Sequence, residues 1–347
     1  MLSKHKLKRK QKLRQIRNHR KNYTKKIKQK KILNPKKIIV LLVLFFLYLL
    51  IYLIKKKNPF KLIIKKENKT KVCVCTFGKQ ENLYIREFVE HYKNYGLHKI
   101  YLYDNNDVNG EKFEDVINDY IKSGFVNITD WRGRLKIQFK MMNDCYKKHK
   151  EEYDWVMFPD LDEFVHLHNN YTGIGTFLSE PKFNKCEIVY FNLVCHTDNE
   201  QLRYENKPLK ERFPNIVPKT RIGGIRLEVK FALRGHLNVY LNAVHTGNGR
   251  LKNCNTYGHA NKVQGIISIE PDTTYYYYDH YYSNFTEEFI KKIIRGDSEE
   301  YHDKFRKGRI KKYFEENSLT LEKILMMENA TGFNLSSYKE QLNKSQN

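Results

Sequence analysis

Residues Trp155–Leu167 read WVMFPDLDEFVHL. Four apolar residues stop at Pro159, carboxylates follow at Asp160, Asp162 and Glu163, and the apolar run resumes at Phe164 and Val165. A short hydrophobic run of this kind reads as an interior strand of an α/β sheet. Carboxylates at its C-terminal end stand where open α/β sheets bind ligands. At strand geometry residues two apart face the same side, so Asp160 and Asp162 are expected to hold one divalent cation between them while Leu161 packs the other way. Oxygen ligands suit Mn²⁺ or Mg²⁺, which complete their shells with phosphate oxygens and water. A polar turn capping the strand is the competing reading of any D-x-D. The strand before it and the third carboxylate favour a nucleotide-diphosphate site.

Upstream, Lys71 to Phe77 (KVCVCTF) reads as a first strand. Leu83, Ile85, Phe88, Val89, Tyr92 and Tyr95 recur at three- and four-residue steps, which predicts a helix over 81–95 ending at Gly96. A strand at 99–103, a helix at about 111–122, a strand at 125–130 and a helix at about 136–149 follow. Alternation with short connections predicts a Rossmann-like, mostly parallel central sheet flanked by helices. No internal repeat and no G-x-G-x-x-G fingerprint occurs. Asp104, ending the second strand in an Asp-Asn-Asn-Asp run, is a candidate nucleoside contact, with an Asx turn as the rival reading. Thr76, at the end of the first strand, is a further candidate for the nucleotide-sugar.

The net charge of +25 first suggests a nucleic-acid binder, but its distribution argues otherwise. Residues 1–37 carry 17 Lys or Arg and no acid, and six more lysines precede the first acid, Glu67. Residues 67–347 are therefore nearly neutral. Between the basic blocks, Ile38 to Ile54 is an uncharged 17-residue stretch, long enough at roughly 25 Å for a thin membrane. No small-residue cleavage site follows it before Lys55, so a retained signal anchor is expected. The positive-inside rule places 1–37 in the cytoplasm and 55–347 in the lumen, a single-pass type II arrangement in the Golgi or ER membrane. Tyr23 is the only aromatic residue in the basic tail, so no nucleic-acid stacking surface is expected. All six cysteines (73, 75, 145, 186, 195, 254) fall on the lumenal side, where disulfides persist. Cys73 and Cys75, two apart on one strand, make a poor pair. Sequons stand at Asn68, Asn127, Asn170, Asn284, Asn329, Asn334 and Asn343.

Several linked motifs resemble a known family. Glu81 to Tyr92 (ENLYIREFVEHY), Gly96, IYLYDNND, GFVNITDW, Gln138 with Met142-Asn143-Asp144-Cys145, and FPDLDEF look like glycosyltransferase family 92, the DUF23 group, over about residues 72–167. HYYSNFTEEFIKKIIRGD (280–297) resembles that family's closing segment. The resemblance implies a GT-A fold, an inverting mechanism, a UDP-sugar donor with galactose foremost, and Mn²⁺. By position it makes Asp160 and Asp162 the metal and diphosphate residues and Asp104 a nucleoside contact. Two positions depart from the family pattern: Lys79-Gln80-Glu81 replaces Lys-Asn-Glu, and Asn284-Phe285 replaces Lys-Ser, removing a cation.

In the second half, His245 (VYLNAVHTG) is the candidate third metal ligand and His280 its rival. Lys230 and Arg234 (VKFALRG) are candidates for neutralising diphosphate charge. An inverting transfer needs one general base on the acceptor hydroxyl; Asp198 and Glu200 in the HTDNE segment are the candidates, with Glu163 as the outsider. Tyr275 to Tyr278 read either as an acceptor groove or as a packed edge strand. The expected organisation is a cytoplasmic tail (1–37), anchor (38–54), stem (55–69), GT-A domain (70–298) and C-terminal helical extension and tail (299–347). The expected function is transfer of a sugar from a UDP donor to a glycan hydroxyl. The alternative is a catalytically silent, membrane-anchored carbohydrate-binding or scaffold protein of the same fold.

Overall fold

The computed structural model describes residues 45, 70–168, 171–217, 226–260, 263–264, 267–268, 274–296 and 303–346. Residues 1–64 and 65–347 form two compact units, and the fold described is that of the second. The basic tail, the stem and the 38–54 stretch, apart from Phe45, lie outside the described residues. Among those described, no helix is long and apolar enough to cross a membrane.

The first half follows the alternating pattern. Strands β1 (Val72–Gly78), β2 (Lys99–Asp104), β3 (Val126–Asp130) and β4 (Trp155–Met157) alternate with helices α1 (Ile85–Asn94), α2 (Glu114–Lys122) and α3 (Gln138–His149). All four strands are parallel, in the order β3-β2-β1-β4. Helix α1 buries Ile85, Phe88, Val89 and Tyr92, the expected stripe. It begins four residues later than the pattern suggests because Glu81 to Tyr84 form a turn, with Tyr84 N and Ile85 N both donating to Glu81 O. It ends at Gly96, whose φ of +69° suits glycine.

The second half is mixed rather than parallel. Strands β5 (Glu163–Leu167), β6 (Ile188–Cys195), β7 (Arg226–Arg234) and β11 (Tyr276–His280) extend the sheet in the order β4-β7-β6-β11-β5, with the short strands β8 (Asn253–Asn255), β9 (Val263–Gln264) and β10 (Ile267–Ser268) lying off this path. Here β7 runs antiparallel to both β4 and β6, and β5 antiparallel to β11. Tyr276–Tyr278 therefore belong to an interior strand, with Tyr278 fully buried, and not to an edge.

Alternate residues of β1 feed two cores. Val72 and Val74 pack with α1, and Cys73 and Cys75 with α3. Disulfides join Cys75 to Cys145 and Cys186 to Cys254, leaving Cys73 and Cys195 free and buried. Two short helices, α4 (Ile174–Leu178) and α5 (Leu209–Arg212), precede a third cluster, which holds α6 (Thr286–Arg295), α7 (Asp303–Glu316) and α8 (Leu321–Thr331) together, so α7 and α8, within the stretch expected as a helical extension and tail, pack with α6. Asn127, Asn329, Asn334 and Asn343 are exposed, whereas Asn284 is 2% exposed and closed to glycosylation in this fold.

Candidate active site

Parallel pairing of β1, β2 and β4 brings their C-terminal ends to one edge: Gly78 is the register partner of Asp104, and Val74 of Met157. The acidic segment leaves β4 there as a turn, with Glu163 N donating to Asp160 O (3.1 Å) before β5 starts. Two further bonds fix this turn. The Thr76 hydroxyl donates to Pro159 O (2.8 Å), and the Glu163 carboxylate accepts from Asp160 N (2.9 Å). Leu161 is buried against the end of β1, where a Cβ on Gly78 would come within 2.4 Å of Leu161 Cδ1.

Asp160 and Asp162 stand in the turn between β4 and β5 and not on a strand, and each has its own cation partner. Asp160 reaches Lys230 on β7 (2.7 Å), whose ammonium also lies 3.3 Å from Glu163. Asp162 reaches Lys292 on α6 (2.9 Å) and stands 3.6 Å from His280 Nε2. Burial alone would raise the Asp162 pKa, but Lys292 and His280 outweigh it and hold the carboxyl well below its usual range. Burial pushes Glu163 up to about 8 despite Lys230. Burial works against the charge on Lys230, and Asp160 and Glu163 more than restore it. The turn is thus a nearly neutral, buried ion-pair cluster.

This cluster forms one wall of a cavity of about 990 Å³, the upper end of the roughly 300–1,000 Å³ typical of ligand sites. Asp160, Asp162, Glu163, His245 and His280 all line it. Glu81, Glu228, Lys292 and Arg295, which the sequence reading did not single out as site residues, line it as well. Arg295 donates to Glu81 (2.7 Å) and to the backbone of Lys79, so α6 clamps the loop after β1. Asn105 is the part of the Asp-Asn-Asn-Asp run that lines the cavity.

The other sequence candidates sit elsewhere. Asp104 is 1% exposed; its Oδ1 accepts from Asn106 N (2.9 Å), an Asx turn, and its Oδ2 accepts from both Nε and Nη2 of Arg132. Arg234 lies over the Trp155 ring (4.3 Å) and donates to the carbonyls of Phe183 and Cys186. Asp198 is buried against Lys323 (2.6 Å) and the Tyr313 hydroxyl, and Glu200 is exposed; neither lines the cavity. Of the two histidines, His280 stands beside Asp162. His245 points Nδ1 at Val229 O (3.1 Å), and burial, then Lys230, lower its pKa.

Among the described residues, no three His, Cys, Asp or Glu side chains are grouped so as to hold a metal by themselves. Asp162 and His280 nonetheless supply an oxygen and a nitrogen donor on one wall. Such a pair fits a cation whose remaining positions are filled by diphosphate and water.

Residues 68–220 match the model of glycosyltransferase family 92, as the motifs implied. A family 92 protein of Oryza sativa subsp. japonica is 31% identical over 102 residues, covering 29% of this chain and 17% of that protein. One from Arabidopsis thaliana is 30% identical over 110 residues, covering 30% and 19%. The matched segments thus span less than a fifth of these relatives. Among solved structures, S. aureus TarS (residues 1–349) in complex with UDP is similar at 15% identity, covering 71% of each chain with a TM-score of 0.31. A mannosyltransferase of Pyrobaculum calidifontis in complex with GDP-Man and Mn²⁺ gives 12% identity over 44% of this chain and 45% of that one, with a TM-score of 0.25.

Proposed function

We propose that this chain, whose residues 68–220 match glycosyltransferase family 92, transfers a sugar from a UDP-sugar to a glycan hydroxyl with inversion, in a GT-A architecture. Galactose is the donor sugar the resemblance favours. The supporting observation is the convergence of the turn carboxylates, His280 and the α6 cations on one cavity at the C-terminal edge of the parallel strands.

The division of work follows from the walls. Asp162 and His280, with Asp160 beside them, would hold Mn²⁺ or Mg²⁺, which when bound neutralises charge on the departing diphosphate. Lys292 and Arg295 add fixed positive charge at the same wall. Lys230 and Glu163 keep the turn in place. Glu228, on β7 and lining the cavity, takes the role of general base on the acceptor hydroxyl that sequence reading gave to Asp198 and Glu200. The uncharged 38–54 stretch would anchor this domain on the lumenal side of a Golgi or ER membrane.

The test is product analysis by mass spectrometry. The purified full chain is incubated with a panel of UDP-sugars and neutral glycans, with and without Mn²⁺. Addition of one hexose to an acceptor is the expected result. Nucleotide and glycan binding without turnover of any donor would favour the silent carbohydrate-binding reading.

A further inference from the structure

The polar run that ends β2 is tied down residue by residue. Arg132 holds Asp104, and the Asn106 side-chain oxygen accepts from Gln80 N (2.6 Å). Asn105, between them, lines the cavity, which Asp104 and Asn106 do not. Its backbone N–H donates to Gly78 O (2.9 Å) at the end of β1. Its Nδ2 donates to Trp131 O (3.1 Å) and to Arg134 O (2.8 Å), in the loop that follows β3. Both amide hydrogens are thus used on carbonyls, which fixes the nitrogen toward that loop and the oxygen away from it.

Asn105 is 5% exposed, and among the described residues no donor reaches its Oδ1. That oxygen is not sealed in the interior, so what it meets is the cavity. A buried acceptor left open in a cavity wall favours a ligand that brings an N–H or O–H to it and disfavours one that cannot. The residues next to its bonded partners suit a flat ring: Phe77 precedes Gly78, Leu135 follows Arg134, and both line the cavity. The Arg134 guanidinium lies over the Trp131 ring (4.8 Å), which steadies the loop that carries Leu135. A nucleobase has the matching form, with apolar faces and a polar edge. Uracil presents N3–H on that edge, where cytosine presents a bare N3 lone pair.

We propose that Asn105 selects the base of the donor, its Oδ1 accepting from uracil N3–H and disfavouring cytosine, whose N3 would set a lone pair against the same oxygen. The inference rests on the nucleotide-sugar reading above. The test is calorimetric titration of the full chain, in Mn²⁺, with UDP, CDP and UDP methylated at N3, for the wild type and Asn105→Ala. All three ligands carry the same ribose and diphosphate. The wild type is expected to bind UDP roughly 10- to 100-fold more tightly than either analogue, the effect of one hydrogen bond left unmade in a buried wall. In Asn105→Ala, UDP binding weakens by a similar factor and the gap between UDP and CDP closes. The analogues change the ligand and not the protein, so the wild-type comparison does not depend on the variant folding. Equal binding of UDP and either analogue by the wild type, or an undiminished gap in Asn105→Ala, overturns the assignment while leaving the nucleotide-sugar reading intact. Failure of the wild type to bind any of the three overturns both.

Discussion

Replacing Asp198 by Asn separates a structural role from a catalytic one at a residue that the sequence offered as a base. Its carboxylate holds Lys323 at 2.6 Å and accepts from Tyr313 and from Glu200 N (2.9 Å), while its own N–H donates to Asn317 (2.6 Å). Asp198 and Lys323 are each 1% exposed. Removing one partner of a buried pair costs about 3–5 kcal/mol because the other charge is left unpaired. Lys323 keeps two acceptors, the carbonyl and hydroxyl of Ser318 at 3.2 and 3.1 Å. The loss should therefore lie near the lower end, about 3 kcal/mol, or roughly a 150-fold shift in the unfolding equilibrium. For a domain of this size the melting temperature falls by about 6–12 °C. Urea melts and UDP-release rates are measured on the same preparation below the unfolding transition. The expected variant is destabilised with a turnover number within about twofold of wild type. A stable variant slowed roughly 10²- to 10⁴-fold, the range for loss of a general base, would refute this reasoning and restore Asp198 as the base.

Glu228→Gln should reduce turnover by about 10²- to 10⁴-fold with UDP affinity retained. Loss of UDP affinity would assign Glu228 to the donor instead. Replacing both Cys75 and Cys145 by Ser opens a link between residues 70 apart and should cost about 2–4 kcal/mol in urea melts, with no cost indicating that the pair does not form. His91 is held neutral, since burial lowers its pKa to about 4 against an ordinary 6.5 although its Nε2 lies 2.9 Å from Val165 O. The unfolded chain binds this proton first, so the stability due to neutral His91 is complete above pH 6.5 and is lost as the pH falls toward 4. The loss is about 3 kcal/mol, and His91→Gln should flatten that part of the stability–pH curve.

The first half of the fold was legible because its signals are local. Apolar stripes, a glycine at the end of α1 and short connections place β1 to β4 within a residue or two. The place of the acidic segment at the end of β4 was legible for the same reason, though strand geometry, not a turn, was expected for it. What surrounds it was not, because its partners come from far along the chain: Lys230 lies 70 residues from Asp160, and Lys292 lies 130 from Asp162. One local signal did exist for Lys292. It falls on the apolar face of α6 with Phe289 and Ile293, where a lysine needs a buried partner. The HTDNE segment misled because a polar loop with two carboxylates has the same composition whether it faces substrate or Lys323. The mixed second half escaped because antiparallel placement of β7 depends on its pairing with β4 and β6, not on its own pattern.

Asp162 and His280 are proposed to make this cavity a metal-assisted UDP-sugar site. Its most direct measurement is UDP release by the purified full chain over a Mn²⁺ titration, beside Asp162→Ala and His280→Ala. Turnover should rise with Mn²⁺ in the wild type and be lost in both variants, which remain folded. Undiminished, metal-dependent UDP release in both variants would contradict it.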